Sequence, residues 1–141
     1  MYYGRYYHKL ESKGRVSLPA KFREKLSEGA ILTRGLDGCL AIFDEELWQK
    51  KLTEASQLAQ TKKSHREYVR FLTNDAIELE IDQLGRIKIA DELKNLVGIE
   101  KNVVFVGSLD HIEIWDQEKY HNYIEAVGNR IEETVEQIDV V

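Results

Sequence analysis

Hydrophobic and polar positions alternate in Ile77-Glu78-Leu79-Glu80-Ile81, the spacing of a strand with one face buried. Residues 6–10 read as a similar short extended run, and Val16 with Leu18 and Ile87 with Ile89 keep the period of two. Turns separate these runs, with Gly14 and Gly85 where a left-handed backbone costs glycine little. The period then shifts to that of a helix: Phe22 and Leu26, four apart, share a face, as do Leu93 and Val97. Pro19, the one proline, falls at the start of the first such helix, where proline is tolerated. Two hairpins follow, one pairing 31–33 with 40–43 around Gly35-Leu36-Asp37-Gly38, the other pairing 103–106 with 112–115.

These segments form an internal repeat. Ser12-Lys13-Gly14-Arg15-Val16-Ser17-Leu18 recurs in form as Gln83-Leu84-Gly85-Arg86-Ile87-Lys88-Ile89, 71 residues on. After a one-residue slip, Leu40-Ala41-Ile42-Phe43-Asp44 matches Ile112-Glu113-Ile114-Trp115-Asp116 at an offset of 72. A period of this kind marks a tandem duplication, and each copy reads β-β-α-β-β. Asp44 and Asp116 are the expected N-caps of two closing helices, with Glu45 and Glu46 favourable in the first turn. The first carries Trp48, Leu52, Ala55 and Ala59 on one face. The second is expected to run as one stripe through Tyr120, Ile124, Val127, Ile131 and Ile138, near a heptad spacing that suits either a neighbouring chain or the protein's own sheet. Residues 61–72 read as a helical connector with His65, Val69 and Leu72 on one side. Units of roughly 50 residues are small for separate cores, so the copies are expected to interleave strands in one α+β fold. The expected division is a first unit with its closing helix at 1–60, a connector at 61–74 and a second unit at 75–141.

Composition adds a charge asymmetry. The 141-residue chain is 43% hydrophobic and carries a net charge of −5, which argues against nucleic acid on average. Residues 1–25 nevertheless hold seven basic side chains against two acids, while 108–141 hold nine acids against Lys119 and Arg130. Such an asymmetry can put opposite potentials on opposite faces, though on composition alone it reads first as ordinary solvated charge. A single cysteine, Cys39, excludes an intramolecular disulfide or a multi-cysteine zinc site. No apolar run reaches membrane-spanning length, so a soluble cytoplasmic protein without a membrane partner is expected. His8, His65, His111 and His121 have no ligand spacing, and no catalytic signature occurs. Neither metal, cofactor, small-molecule substrate nor enzymatic activity is therefore expected.

The repeated motif is an acid, three residues, then arginine: Glu11 with Arg15, and Asp82 with Arg86, each arginine preceded by glycine. An arginine fixed beside a tight turn suits phosphate or guanine edges, because its planar fork donates paired hydrogen bonds. The same spacing also suits an internal salt bridge that closes the turn, which duplication alone would preserve.

The opening run from Met1 to Pro19, with its glycine, histidine, acid, Lys-Gly-Arg and leucine-proline step, resembles the MraZ family. So does Thr33-Arg34-Gly35-Leu36-Asp37-Gly38-Cys39-Leu40. Ile81-Asp82-Gln83-Leu84-Gly85-Arg86-Ile87-Lys88-Ile89 is similar to AbrB and SpoVT hairpins as well. The resemblance implies two AbrB-like units sharing a swapped-hairpin β-barrel, a ring-like homo-oligomer, and double-stranded DNA as partner. The DNA would carry repeated boxes upstream of division and cell-wall genes, giving a cytoplasmic, nucleoid-associated transcription regulator or repressor. Carried onto this chain, the DNA-facing residues are Arg15, Arg86 and Lys13, with Arg5, His8 and Lys9 from the adjoining strand. Glu11 stands where the family usually has aspartate and Ala90 where it usually has proline, so the two tips need not be equal. The competing reading is an AbrB-fold interaction module, antitoxin-like or a scaffold, without specific DNA binding. Exposure of Arg15 and Arg86 on one surface would separate the two.

Overall fold

The computed structural model describes residues 1–138. The first repeat comprises β1 (Arg5–Lys9), a 3-10 turn (Ser12–Gly14), β2 (Arg15–Ser17), α1 (Ala20–Arg23), β3 (Ala30–Arg34), β4 (Leu40–Asp44) and α2 (Glu45–Ser56). Helix α3 (Lys63–Asn74) leads into β5 (Ile77–Glu78), β6 (Arg86–Lys88), α4 (Asp91–Val97), β7 (Asn102–Gly107), β8 (Ile112–Asp116), α5 (Gln117–Asn129) and α6 (Ile131–Gln137).

The repeats exchange strands. Hairpins β3–β4 and β7–β8 meet through β4 and β8 at the centre of a six-stranded antiparallel sheet, ordered β1-β7-β8-β4-β3-β5. Strand β1 of the first repeat pairs with β7 of the second, and β5 of the second pairs with β3 of the first. The remaining strands, β2 and β6, form a separate antiparallel ribbon.

Alternation then divides the side chains between two layers. On one sheet face, Leu32, Ile42, Phe105 and Ile114 pack against Val16, Leu18, Ile87 and Ile89 from the ribbon and its flanks. Phe22, Leu26, Leu93 and Val97 of the short helical segments close that layer. On the other face, α2 and α3 cover Ile31, Ala41 and Phe43, while α5 covers Cys39, Val104 and Trp115. Cys39 is fully buried, and desolvation pushes its thiol pKa up. No helix among the described residues is long and apolar enough to cross a membrane.

Local chemistry explains the helix starts. Asp44 Oδ1 accepts from the Leu47 amide at 2.8 Å, and Asp116 Oδ2 accepts from the Lys119 amide at 3.4 Å. Pro19 stands one residue earlier than expected, as the N-cap of α1 rather than its first residue. Its carbonyl accepts from Phe22 and Arg23, so proline's missing donor still costs nothing.

The C-terminal stripe differs from expectation. The single long helix breaks at Arg130 (φ −123°, ψ 14°) into α5 and α6, next to Gly128 and Asn129, both poor helix formers. Tyr120 is buried and Ile124 packs on the sheet, whereas Ile131 is exposed.

Candidate nucleic-acid interface

The ribbon register fixes which side chains share a face. Val16 lies opposite Ile87, and both point into the core. The flanking pairs are Arg15 with Lys88 and Ser17 with Arg86, so these four side chains project to the outer face. Arg15 and Arg86 sit diagonally across the ribbon, an arrangement that sets such neighbours about 7 to 8 Å apart. Both are partly buried, the Arg86 side chain 26% exposed, and Lys88 is exposed.

The two turns hold the ribbon by reciprocal backbone bonds. Gly14 carbonyl accepts from Ile89, and Gly85 carbonyl accepts from Leu18, each at 2.9 Å. Both glycines have positive φ, 72° and 77°. A Cβ at Gly14 would lie 2.6 Å from the Ile89 carbonyl oxygen, so glycine here permits the close strand approach. At Gly85 the same space is taken by the Arg23 guanidinium, whose Nη2 donates to the Leu18 carbonyl at 2.9 Å.

The motif acids behave differently. Asp82 Oδ1 accepts from the backbone amides of Leu84 and Arg86, while Oδ2 accepts from Arg86 Nε at 2.9 Å. The Arg86 amide and guanidinium, with the Leu84 amide, hold the Asp82 carboxyl below the usual carboxylate range. The turn-closing salt bridge therefore exists in the second copy. Glu11 caps its turn with no side-chain hydrogen bond, and Lys13 takes a left-handed backbone, φ 64°. One extra methylene in the acid thus accompanies a different turn and leaves the Arg15 guanidinium without the brace given to Arg86.

Lys13 lies beside Lys88 and Lys94 in a shallow hollow next to the first turn, with Asp91 at its edge; Lys94 Nζ pairs with that carboxylate at 2.9 Å. The adjoining strand is not brought to this face. Arg5 lies over the Tyr120 ring, 5.8 Å from its centroid, on the α5 side of the sheet. His8 shares the core-facing side of β1 with Tyr6 and Leu10, meets Phe105 edge-on, and has its pKa lowered by burial. Lys9 is exposed, with the parity of Arg5.

Sequence reasoning missed Lys88, Arg23 and Lys94. Lys88 was findable, since residues two apart in a strand share a face. Arg23 and Lys94 are themselves 71 apart, and the repeat offset was the available signal for their equivalence.

Comparison with known proteins identifies the architecture's relatives. The family described as "MraZ protein, putative antitoxin-like" matches twice, over residues 1–71 and 72–139. The chain is 40% identical to a protein named transcriptional regulator MraZ from Caldanaerobacter subterraneus subsp. tengcongensis, over 99% of this chain and 97% of the relative. A protein of the same name from Acetivibrio thermocellus is 42% identical, over 87% and 86% of the two chains. Another from Lactobacillus gasseri is 36% identical, over 99% and 97%.

Proposed function

Because the chain belongs to the MraZ family, we propose that it is a sequence-specific DNA-binding transcription regulator that reads double-stranded DNA with the β2–β6 ribbon. The observation that carries this reading is that the partly exposed Arg15 and Arg86 and the exposed Lys88 share one ribbon face. A two-stranded ribbon is narrow enough for the major groove. Arg86, braced by Asp82, is preorganised for a base edge, and the unbraced Arg15 is suited to a phosphate. Lys13, Lys88 and Lys94 supply further phosphate contacts beside the first turn, while Arg5, His8 and Lys9 are secondary candidates from β1. Asp82 and Glu11, with Gly14 and Gly85, act as turn formers rather than as contacts.

The interleaved strands are consistent with two AbrB-like units of the swapped-hairpin kind, 1–60 and 75–141, joined by 61–74. The protein works without cofactor or catalytic step, as a ring-like homo-oligomer on the nucleoid in the cytoplasm. Its targets are repeated boxes upstream of its own division and cell-wall gene cluster. A ring makes the acidic net charge tolerable, because several chains add their basic faces at high effective concentration.

Fluorescence anisotropy with the upstream duplex and a scrambled duplex, across a salt series, tests the reading. The expected result is salt-sensitive binding that prefers the native duplex and weakens in Arg15→Ala and Lys88→Ala. Each substitution should reduce the salt slope by about one. A folded oligomer binding neither duplex would overturn the reading in favour of a protein-interaction module.

A further inference from the structure

Helix α6 leaves an apolar stripe uncovered. Ile131, Val135 and the adjoining Ile138 are 43%, 57% and 48% exposed, and their spacing of four and three puts them on one side. Between them stand Glu132, Glu133 and Glu136, with no basic side chain inside α6. Such a segment has the pattern of a helix that lays an apolar face into a groove and presents carboxylates to its rim.

The complementary surface lies in the other half of the sequence. Between α2 and α3 there is a groove of about 340 Å³, with Leu52, Ala55, Leu58 and Val69 along it and Arg66 and Arg70 beside them. No carboxylate among the described residues lines it. Arg66 donates to the Gln60 carbonyl, which steadies the rim, whereas Arg70 is exposed. All lining residues come from α2, α3 and the segment joining them, so within one chain α6 does not occupy the groove.

We propose that α6 of one chain docks in the α2–α3 groove of a second copy. This rests on the homo-oligomer reading above and assigns the surfaces that make it. Apolar stripe meets apolar groove, and the flank carrying Glu132 and Glu136 meets the two guanidiniums. The contact uses two different patches on each chain, so it is head-to-tail and propagates until a ring closes. Two helical turns make a weak contact alone, but in a closed ring every chain is held twice.

The test uses full-length chains, native mass spectrometry and sedimentation at matched concentrations. Val135→Asp disables the helix and Arg70→Glu disables the groove. Each is expected to weaken self-association by about tenfold or more while the chain stays folded by far-ultraviolet circular dichroism, since both side chains are exposed. Ile131→Asp, on the same stripe, repeats the helix arm. Mixed together, Val135→Asp supplies an intact groove and Arg70→Glu an intact helix, so a one-to-one heterodimer that grows no further is expected. Assembly of both variants like the unsubstituted chain would overturn the docking while leaving self-assembly intact. Loss of assembly in each without heterodimer formation on mixing would also overturn it. A natural chain that stays monomeric at every concentration would sink the oligomer reading and the docking together.

Discussion

Arg86 and Arg15 occupy equivalent positions in the two copies but differ in what restrains them. Arg86 is tied to a carboxylate that also closes its turn, so truncating it does two things: it removes a cation and frees a negative charge on the DNA-facing side. Arg86→Ala is therefore expected to weaken DNA binding more than Arg15→Ala, and Asp82→Ala should recover part of the Arg86→Ala loss. Anisotropy on the four proteins as a double-mutant cycle measures this. Equal losses with no coupling would contradict the brace. A second residue-scale consequence lies at Ala90, which has φ −63° and ψ 148° as the N-cap of α4, close to Pro19 with φ −52° and ψ 133°. The backbone is already shaped for proline, so Ala90→Pro should raise stability by about 0.5 to 1 kcal/mol by restricting the unfolded chain. Urea midpoints check it, and a decrease would mean that the ring meets an obstacle near Lys88 or Lys94. Side-chain chemistry was legible in sequence only where repetition isolated it. The acid-to-arginine spacing marked both Asp82 and Glu11, but one methylene decides which of them bonds its own turn, and that depends on local geometry no spacing encodes.

The elements themselves were largely readable because each obeys one period over several residues. Strands β3, β4, β7 and β8 follow from apolar runs bounded by turns, and the caps Asp44 and Asp116 from capping chemistry. The alternating run 77–81, by contrast, yields only the two-residue β5, with Ile77 44% exposed. The break at Arg130 did not follow, since a stripe continued through a poor helix segment looks the same as an unbroken helix. Partners on the sheet surface were equally hidden. His111 stands just before β8, its Nδ1 2.7 Å from Asp110 and its Nε2 3.1 Å from Glu113, with Glu113 also accepting from Trp115 Nε1 at 3.0 Å. The hydrogen bond with Glu113, aided by Asp110, raises the His111 pKa against the opposing effect of burial. Burial opposes ionisation of Glu113, but the bonds from His111 and Trp115 prevail and lower its pKa. A raised histidine pKa stabilises the fold fully below the ordinary value of 6.5, and the stabilisation is lost as pH rises through the higher folded value. The melting temperature should therefore fall as pH rises from about 6 to 9, and His111→Gln should flatten that fall. An unchanged profile in His111→Gln would assign the pH dependence to other groups.

At the scale of the whole molecule, strand exchange decides how the two repeats share stability. Duplication alone permits two domains that unfold separately, with small cores and independent midpoints. Here β1 completes the sheet edge beside β7, β5 does so beside β3, and the ribbon takes one strand from each repeat. Among the described residues, eighteen buried side chains from both repeats form one cluster between ribbon and sheet, so neither half keeps its core when the other opens. The tryptophans are placed to test this, because Trp48 belongs to the cluster under α2 and α3 and Trp115 to the cluster under α5. In single-tryptophan variants, Trp115→Phe reports the first half through Trp48, and Trp48→Phe reports the second through Trp115. Within each variant, the fluorescence transition in urea should coincide with that of far-ultraviolet circular dichroism, as a two-state unfolding requires. Ile87→Ala, at the centre of the ribbon and 1% exposed, should cost about 2 to 5 kcal/mol and shift both tryptophan signals by the same amount. A shift confined to the Trp115 signal would mean that the second repeat carries its own core and that the exchanged strands are only edges.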